Sequence, residues 1–166
     1  LSKQQYDFFN NFKKEVMGGL ALIAKNEEVN FLNNADLRFD KGWVRSEALL
    51  TSLQNSIEKD YALGYTSLGP HRMDCKYYIK GKRAASVLSR GQSKLLIILI
   101  FLINHSLINS YIDSEAVLLI DDLGSELDLE NLEFVLQQIS KAPNQVILTG
   151  IQGEDLEKIV SKYTNF

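Results

Sequence analysis

Apolar residues recur at helical spacing through Leu1–Ala24, where Phe8, Phe9, Phe12, Val16, Leu20 and Ile23 are separated by charged positions. This predicts a helix, with Gly18-Gly19 expected to kink or divide it. Glu27–Ala35 either prolongs that helix or loops. Across Ala35–Trp43, Leu37, Phe39 and Trp43 alternate with Arg38 and Asp40 around a Lys41-Gly42 turn, the pattern of a short strand. Ser46–Tyr61 returns to helical spacing through Leu49, Leu50, Leu53, Ile57 and Tyr61, with Ser46 as the expected N-cap. This first part of the chain reads as architecture.

Tyr65–Leu68 is rich in strand formers and ends at Gly69-Pro70-His71-Arg72. Gly64 and Gly69 have the spacing of a phosphate-cradling Walker A loop, but that loop needs Lys and Ser/Thr next. Here Pro70 and His71 follow, and Pro70 has no N–H to offer a phosphate, so the motif is excluded. His71 and Arg72 either line a site or belong to a self-satisfied turn. Cys75–Ile79 and Arg83–Val87 flank Lys80-Gly81-Lys82 as a predicted β-hairpin.

The next segments carry the chemistry. Leu88-Ser89-Arg90-Gly91-Gln92 opens into Ser93–Asn109, a helix apolar on nearly every side and expected to be deeply buried. Ala116–Ile120 is an unbroken apolar run, as in a strand buried on both faces of a parallel sheet. It ends in Asp121 and Asp122, then Leu123–Asp128 turns into a helix capped by Asp128 and buried through Leu132, Val135, Leu136 and Ile139. Lys141 and Pro143 close that helix, Gln145–Leu148 is a second buried strand ending at Thr149-Gly150, and a weak amphipathic helix follows from Glu154.

Composition narrows the class. The 166 residues are 45% hydrophobic and 23% charged, enough for one domain with a sizeable core, or a domain with a small appendage. A net charge of −3 argues against a polycation that coats nucleic acid by bulk attraction. A lone Cys75 makes no intrachain disulfide and fits a reducing compartment. The longest apolar run, Leu95–Ile103, is too short to span a bilayer, and no signal peptide is visible. A first residue of Leu1 in place of Met points to a fragment.

Charge is segregated. From Lys76 to Lys94 every charged residue is basic (Lys76, Lys80, Lys82, Arg83, Arg90, Lys94), and from Asp113 to Glu133 every one is acidic. Such runs are ordinarily solvated faces of opposite sign. Here the basic run surrounds a candidate phosphate-binding turn, because a helix start carries unpaired N–H groups and a partial positive charge. Ser89 adds a hydroxyl, Gly91 permits close backbone approach and Arg90 adds charge. The acidic run holds Asp121 and Asp122 at a strand's C-terminal end, where open α/β sheets bind ligands. Neighbouring strand residues point to opposite sides, so the two acids are expected to divide the work. Asp121 suits Mg²⁺, usually through water, and Asp122 suits orienting an attacking water.

In this order, Tyr65-Thr-Ser-Leu-Gly-Pro-His-Arg, Leu-Ser-Arg-Gly-Gln-Ser-Lys-Leu-Leu, Leu-Ile-Asp-Asp-Leu-Gly-Ser-Glu-Leu-Asp and Gln-Val-Ile-Leu-Thr resemble the RecF family of ABC/SMC-like ATPases. Asp122 stands where most ABC proteins carry Glu. The resemblance covers roughly residues 35–151. It implies an α/β fold, the C-terminal lobe of an ABC-type P-loop ATPase head, with a parallel-sheet core, flanking helices and part of a helical signature-bearing domain. Residues 1–63 would form the helical second-domain region and residues 64–166 the head portion with signature, Walker B and D-loop. It further implies a bacterial cytoplasmic protein of DNA repair, replication and the SOS response, with ATP and Mg²⁺ as cofactors and no membrane partner. Such a protein dimerises on ATP, binds single-stranded, gapped and junction DNA, and acts with RecO and RecR in loading recombinase.

By position, Ser89, Arg90, Gly91 and Gln92 would meet ATP held by the partner subunit, Asp121 would serve Mg²⁺ and Asp122 hydrolysis. Ser125, Glu126, Leu127 and Asp128 would form the D-loop, and Thr149 holds the switch position, where no His stands. DNA contact is expected at Lys76, Lys80, Lys82 and Arg83 on charge alone. No Walker A motif occurs in these residues, so ATPase activity, weak and DNA-stimulated, is expected of the full-length dimer and not of this chain by itself. The alternatives are another ABC/SMC-like head (SMC, Rad50 or OLD-like), which for SMC and Rad50 would call for flanking heptads that are absent, or a degenerate ABC module that only mediates interactions.

Overall fold

The computed structural model describes residues 3–111, 116–125, 127–142, 145–150, 157–159 and 161–163. Helix α1 (Lys3–Ile23) leads through a 3-10 segment (Glu27–Leu32) into strand β1 (Ala35–Asp40), followed by α2 (Leu49–Leu63). A 3-10 turn at Pro70–Arg72 precedes β2 (Asp74–Ile79), β3 (Lys82–Arg83) and the single turn α3 (Ala84–Val87). The long helix α4 (Arg90–Tyr111), β4 (Leu118–Ile120), α5 (Leu129–Ile139) and β5 (Val146–Leu148) complete the order. β1, β2 and β3 form an antiparallel sheet with Leu37 opposite Tyr77 and Phe39 opposite Cys75, while β4 and β5 pair in parallel.

One core runs through the molecule: Val16 and Leu20 of α1, Leu95 and Leu99 of α4, and Leu132, Val135 and Leu136 of α5 belong to a single buried cluster. α1 is continuous through Gly18-Gly19, contrary to the expected kink. The reason is packing. A Cβ on Gly19 would lie 2.8 Å from the Ile103 side chain, so the missing side chain lets α1 settle closely on α4.

Other expectations also give way to tertiary context. Ser46 does not cap α2; Ala48 is its N-cap, without a side-chain bond, and Lys41 Nζ holds the preceding turn through the carbonyls of Arg45 and Glu47. The buried side of α2 is Ser52 and Ser56, while Leu50, Ile57 and Tyr61 face out. Ser52 donates to Glu47 and Ser56 to Asp60, which satisfies both hydroxyls. Tyr65–Leu68 is not a strand, because Gly69 instead turns back to donate its N–H to Gly42 O. The hairpin turns at Lys80 and Gly81, both at positive φ, as a two-residue turn of the primed kind requires. Its second strand stops at Arg83, because Ala84 buries itself and begins α3.

α4 and the parallel strands are less covered than their sequences suggest. By length and composition α4 could cross a bilayer, yet Leu95 and Leu99 are fully buried against the rest of the core. Its other side exposes Ile97, Phe101 and Ile108, and Leu119 and Ile147 expose one face of the β4–β5 pair. Those strands are therefore buried on one face and not on both. An apolar groove of about 740 Å³ runs between Phe8, Phe12, Phe101, Ile108, Val117 and Leu118. α5 matches its expected face in full, and its Asp128 cap accepts from the Asn131 N–H. Pro143 and Glu154 lie outside the described residues; Ile159 packs on the core and Tyr163 O–H reaches Glu133.

Two carboxylates tie the antiparallel sheet down. Asp36 accepts from Lys13 of α1 at 2.6 Å and from Arg38, and Asp40 pairs with Lys76 across the β1–β2 ladder. The Lys13 bond first, then Arg38, holds Asp36 below the ordinary carboxylate range, and the Lys76 bond does the same for Asp40. Both pKa values are lower folded than unfolded, so this stabilisation is present above about pH 4 and fades as pH falls through the folded values. Melting temperature should fall on acidification below about pH 4. The decline should be shallower in an Asp40→Asn variant, and an identical acid profile would discount the pair. The contribution is small, since exposed pairs are worth roughly 0–1 kcal/mol.

Candidate functional site

The parallel register sets Ile120 beside Leu148, so Asp121 and Thr149 leave the sheet side by side. Thr149 is wired to the acidic turn through both backbone and hydroxyl. Its N–H donates to Ile120 O at 3.0 Å and its carbonyl accepts from the Leu123 N–H at 2.9 Å. Its hydroxyl accepts from the Asp122 N–H at 2.9 Å and donates to the Asp121 carboxylate. Asp121 is exposed and Asp122 half-buried. Both acids lie just past the strand, so strand alternation does not separate them. Asp122 does so by adopting φ +50°, a left-handed conformation unusual for a residue with a side chain.

Beside this turn stands the start of α4. The Ser89 hydroxyl accepts from the Gln92 N–H at 3.2 Å, and Gln92 Oε1 accepts from the Ser89 N–H at 3.1 Å, a reciprocal capping box. The N–H groups of Arg90 and Gly91 precede the first i→i−4 bond within the helix, which runs from Ser93 to Ser89 O. Arg90 is exposed and Gly91 half-buried.

What joins helix tip and strand ends is a residue that sequence reasoning counted only as part of a basic run. Lys94 Nζ donates to Asp122 O at 2.6 Å, to Ser125 O at 2.7 Å and to Ser125 Oγ at 2.6 Å. An ammonium has three donors, and all three are used. The available signal was a lysine immediately before the apolar run Leu95–Ile103 of that helix. At its far end α4 is tied to the start of β4. His105 Nε2 donates to Ala116 O at 2.8 Å, and Asn109 Oδ1 accepts from the Ala116 N–H at 3.1 Å.

The structure thus brings Ser89, Arg90, Gly91 and Gln92 to the same end of the fold as Asp121, Asp122, Ser125 and Thr149. Leu127 packs against the core, Asp128 is engaged in capping α5, and Glu126 lies outside the described residues. Of the hairpin cations, Lys76 is paired with Asp40 and Arg83 lies 3.9 Å from Asp74. Lys80 and Lys82 are exposed and make no ion pair among the described residues. His71 is turned inward on its own loop, its ring bonding Thr66 O at 2.9 Å, and Arg72 lies over the Tyr65 ring. Among the described residues no group of three or more His, Cys, Asp or Glu side chains is placed to hold a metal alone. A divalent ion at Asp121 would need phosphate and water oxygens to complete its shell, as Mg²⁺ commonly does.

No family model matches the chain. Two solved structures share its fold: the recombination mediator protein RecF-ATP in the RecFOR pathway, at TM-score 0.58 and 21% identity over 90% of this chain and 41% of that one, and RecF-ATPrS, at 0.57 and 22% over 89% and 41%. The parallel strand pair ending in two acids beside the capped tip of an apolar helix accordingly belongs to an α/β fold that this chain shares with those RecF structures. Among curated relatives, the DNA replication and repair protein RecF of Pseudoalteromonas translucida is 31% identical over 160 residues, 96% of this chain and 43% of its own length. RecF of Colwellia psychrerythraea is 34% identical over 131 residues, 79% of this chain and 35% of its own length. The chain belongs to the RecF family and spans about two-fifths of the length of those relatives.

Proposed function

We propose that this chain is the signature-bearing part of an ATP-dependent DNA-binding protein of bacterial recombinational repair. It supports replication and the SOS response from the cytoplasm. Residues 1–63 supply the helical region and residues 64–166 the head portion. The single observation that carries the reading is the fastening of the α4 tip to the Asp122–Ser125 loop by Lys94, which supports treating the two motifs as one site.

The residues present fit ATP held by another subunit and do not make a complete site of their own. Amides at the α4 start, the Arg90 guanidinium and the Ser89 hydroxyl suit a terminal phosphate, since a helix N-terminus favours an anion. Asp121 keeps a carboxylate oxygen for Mg²⁺ beyond the one bonded to Thr149. Asp122 orients water as a base, while Ser125 to Asp128 line the subunit boundary and Thr149 fixes the acids as the switch residue. Bound ATP supplies the transferable phosphoryl group, and the chain supplies dipoles, charge and a base around it. The exposed face of α4 and of the β4–β5 pair suits the lobe that carries Walker A, because parallel sheets are normally covered on both sides. ATP-dependent homodimerisation follows from a site divided between subunits. DNA in single-stranded, gapped or junction form is the macromolecular ligand, with Lys80 and Lys82 the hairpin cations free to meet phosphate, and RecO and RecR are the protein partners.

Isothermal titration of Mg·ATP into this chain alone should show no saturation in the micromolar range. Adding the Walker A-bearing part of a RecF relative should then produce association that depends on ATP. Micromolar binding by the chain alone, or association indifferent to ATP, would refute the divided site.

A further inference from the structure

Asp122 is held in its left-handed conformation from both sides of its backbone: its N–H donates to Thr149 Oγ1 and its carbonyl accepts from Lys94 Nζ at 2.6 Å. Such a conformation persists in a residue with a side chain only where the surroundings impose it. The Thr149 contact comes from the neighbouring strand, fixed by the sheet. The Lys94 contact comes from the first turns of α4, one turn beyond Gly91. Ser125 completes the network, since its hydroxyl accepts from Lys94 and donates to Asp122 O at 3.2 Å. α4 is also tied to the opposite end of β4 through His105 and Asn109, so that end of the helix is anchored and the Lys94 end is the one that carries the site.

We propose that Lys94 is a positioning residue that couples the phosphate-facing tip of α4 to the direction of the Asp122 carboxylate and to the Ser125 end of the following loop. The inference rests on the divided-site reading above. A terminal phosphate that draws the α4 tip forward draws Lys94 with it, and the three acceptors of Lys94 carry the displacement into Asp122. Lys94 spends its three donors on Asp122 O, Ser125 O and Ser125 Oγ, so its contribution is to place the Asp122 carboxylate. Removing its ammonium therefore spares nucleotide-dependent association and lowers turnover.

The test uses a full-length RecF-family protein carrying this chain, in a background where Cys75 and any other cysteines are replaced. Lys94→Met should lower kcat on the order of a hundredfold, the scale of a small misplacement at a reacting centre, with KM for ATP and ATP-dependent dimerisation within about twofold of the parent. Lys94→Cys alkylated with 2-bromoethylamine restores an ammonium at nearly the original reach and should recover turnover, whereas alkylation with neutral iodoacetamide should not. If Lys94→Met folds poorly, Lys94→Gln, which keeps a polar donor but loses the charge and part of the reach, should show the same kcat-selective loss at smaller amplitude. In the 166-residue chain itself, Lys94→Met should speed amide exchange across Asp122–Ser125. Unchanged turnover in Lys94→Met, or equal loss of turnover and dimerisation, overturns the coupling. An Asp122→Asn variant separates the two levels: if it keeps full turnover the underlying reading fails, and if it alone loses turnover only the Lys94 proposal fails.

Discussion

Asp122→Asn, introduced into a full-length RecF-family protein that carries this chain, is expected to reduce ATP turnover by roughly 10²–10⁴-fold, the usual contribution of a positioned base. Asn preserves size and tolerates the left-handed conformation at φ +50° that Asp122 adopts, so the backbone bonds to Thr149 and Lys94 should survive. ATP-dependent dimerisation, followed by sedimentation or light scattering, should persist or strengthen because the trapped nucleotide is not consumed. Turnover unchanged in this variant would reassign the base or leave the head as an interaction module.

The largest structural penalty is expected at Gly42. A Cβ there would sit 2.2 Å from Gly69 O, a backbone atom, and Gly42 already holds φ +87°. Gly42→Ala therefore combines left-handed strain with loss of the bond from the Gly69 N–H to Gly42 O, together roughly 3 kcal/mol. Gly64 makes the control: φ is +75° but a Cβ meets nothing within 4 Å, so Gly64→Ala should lose only about 1 kcal/mol. Equal denaturation midpoints for the two variants would remove close approach as the cause.

The elements legible from sequence were those whose signals are local. α5 announced itself through a capping Asp128 followed by Leu132, Val135, Leu136 and Ile139 at helical spacing, and all of these behave as expected. The presence of α4 and β1 was equally plain, though α4 runs from Arg90 to Tyr111, beyond the expected Ser93–Asn109, and β1 stops at Asp40, short of Trp43. α2 misled, because its periodic Leu50, Ile57 and Tyr61 face out and its small Ser52 and Ser56 face in. Hydroxyls can be buried when a neighbour such as Glu47 or Asp60 accepts their hydrogen bonds, and periodicity does not register that. The site was legible as two motifs, and their union was not. Lys94 and Asp122 are 28 positions apart, and the distance between them is fixed by packing α4 on the core. The positive φ of Asp122 likewise has no signature in an acidic pair.

The reciprocal bonds between Ser89 and Gln92 have a consequence for selectivity. Each side chain spends its oxygen as an acceptor on the other residue's N–H, which leaves the Ser89 O–H and the Gln92 amide hydrogens as the groups still to be given away. A neutral oxygen that takes one of them replaces a bond to water and gains little. An anionic oxygen forms charge-assisted bonds of about twice the strength, so the balance favours a charged guest. With its oxygens occupied the turn offers hydrogens only, a polarity that welcomes acceptors and turns donors away.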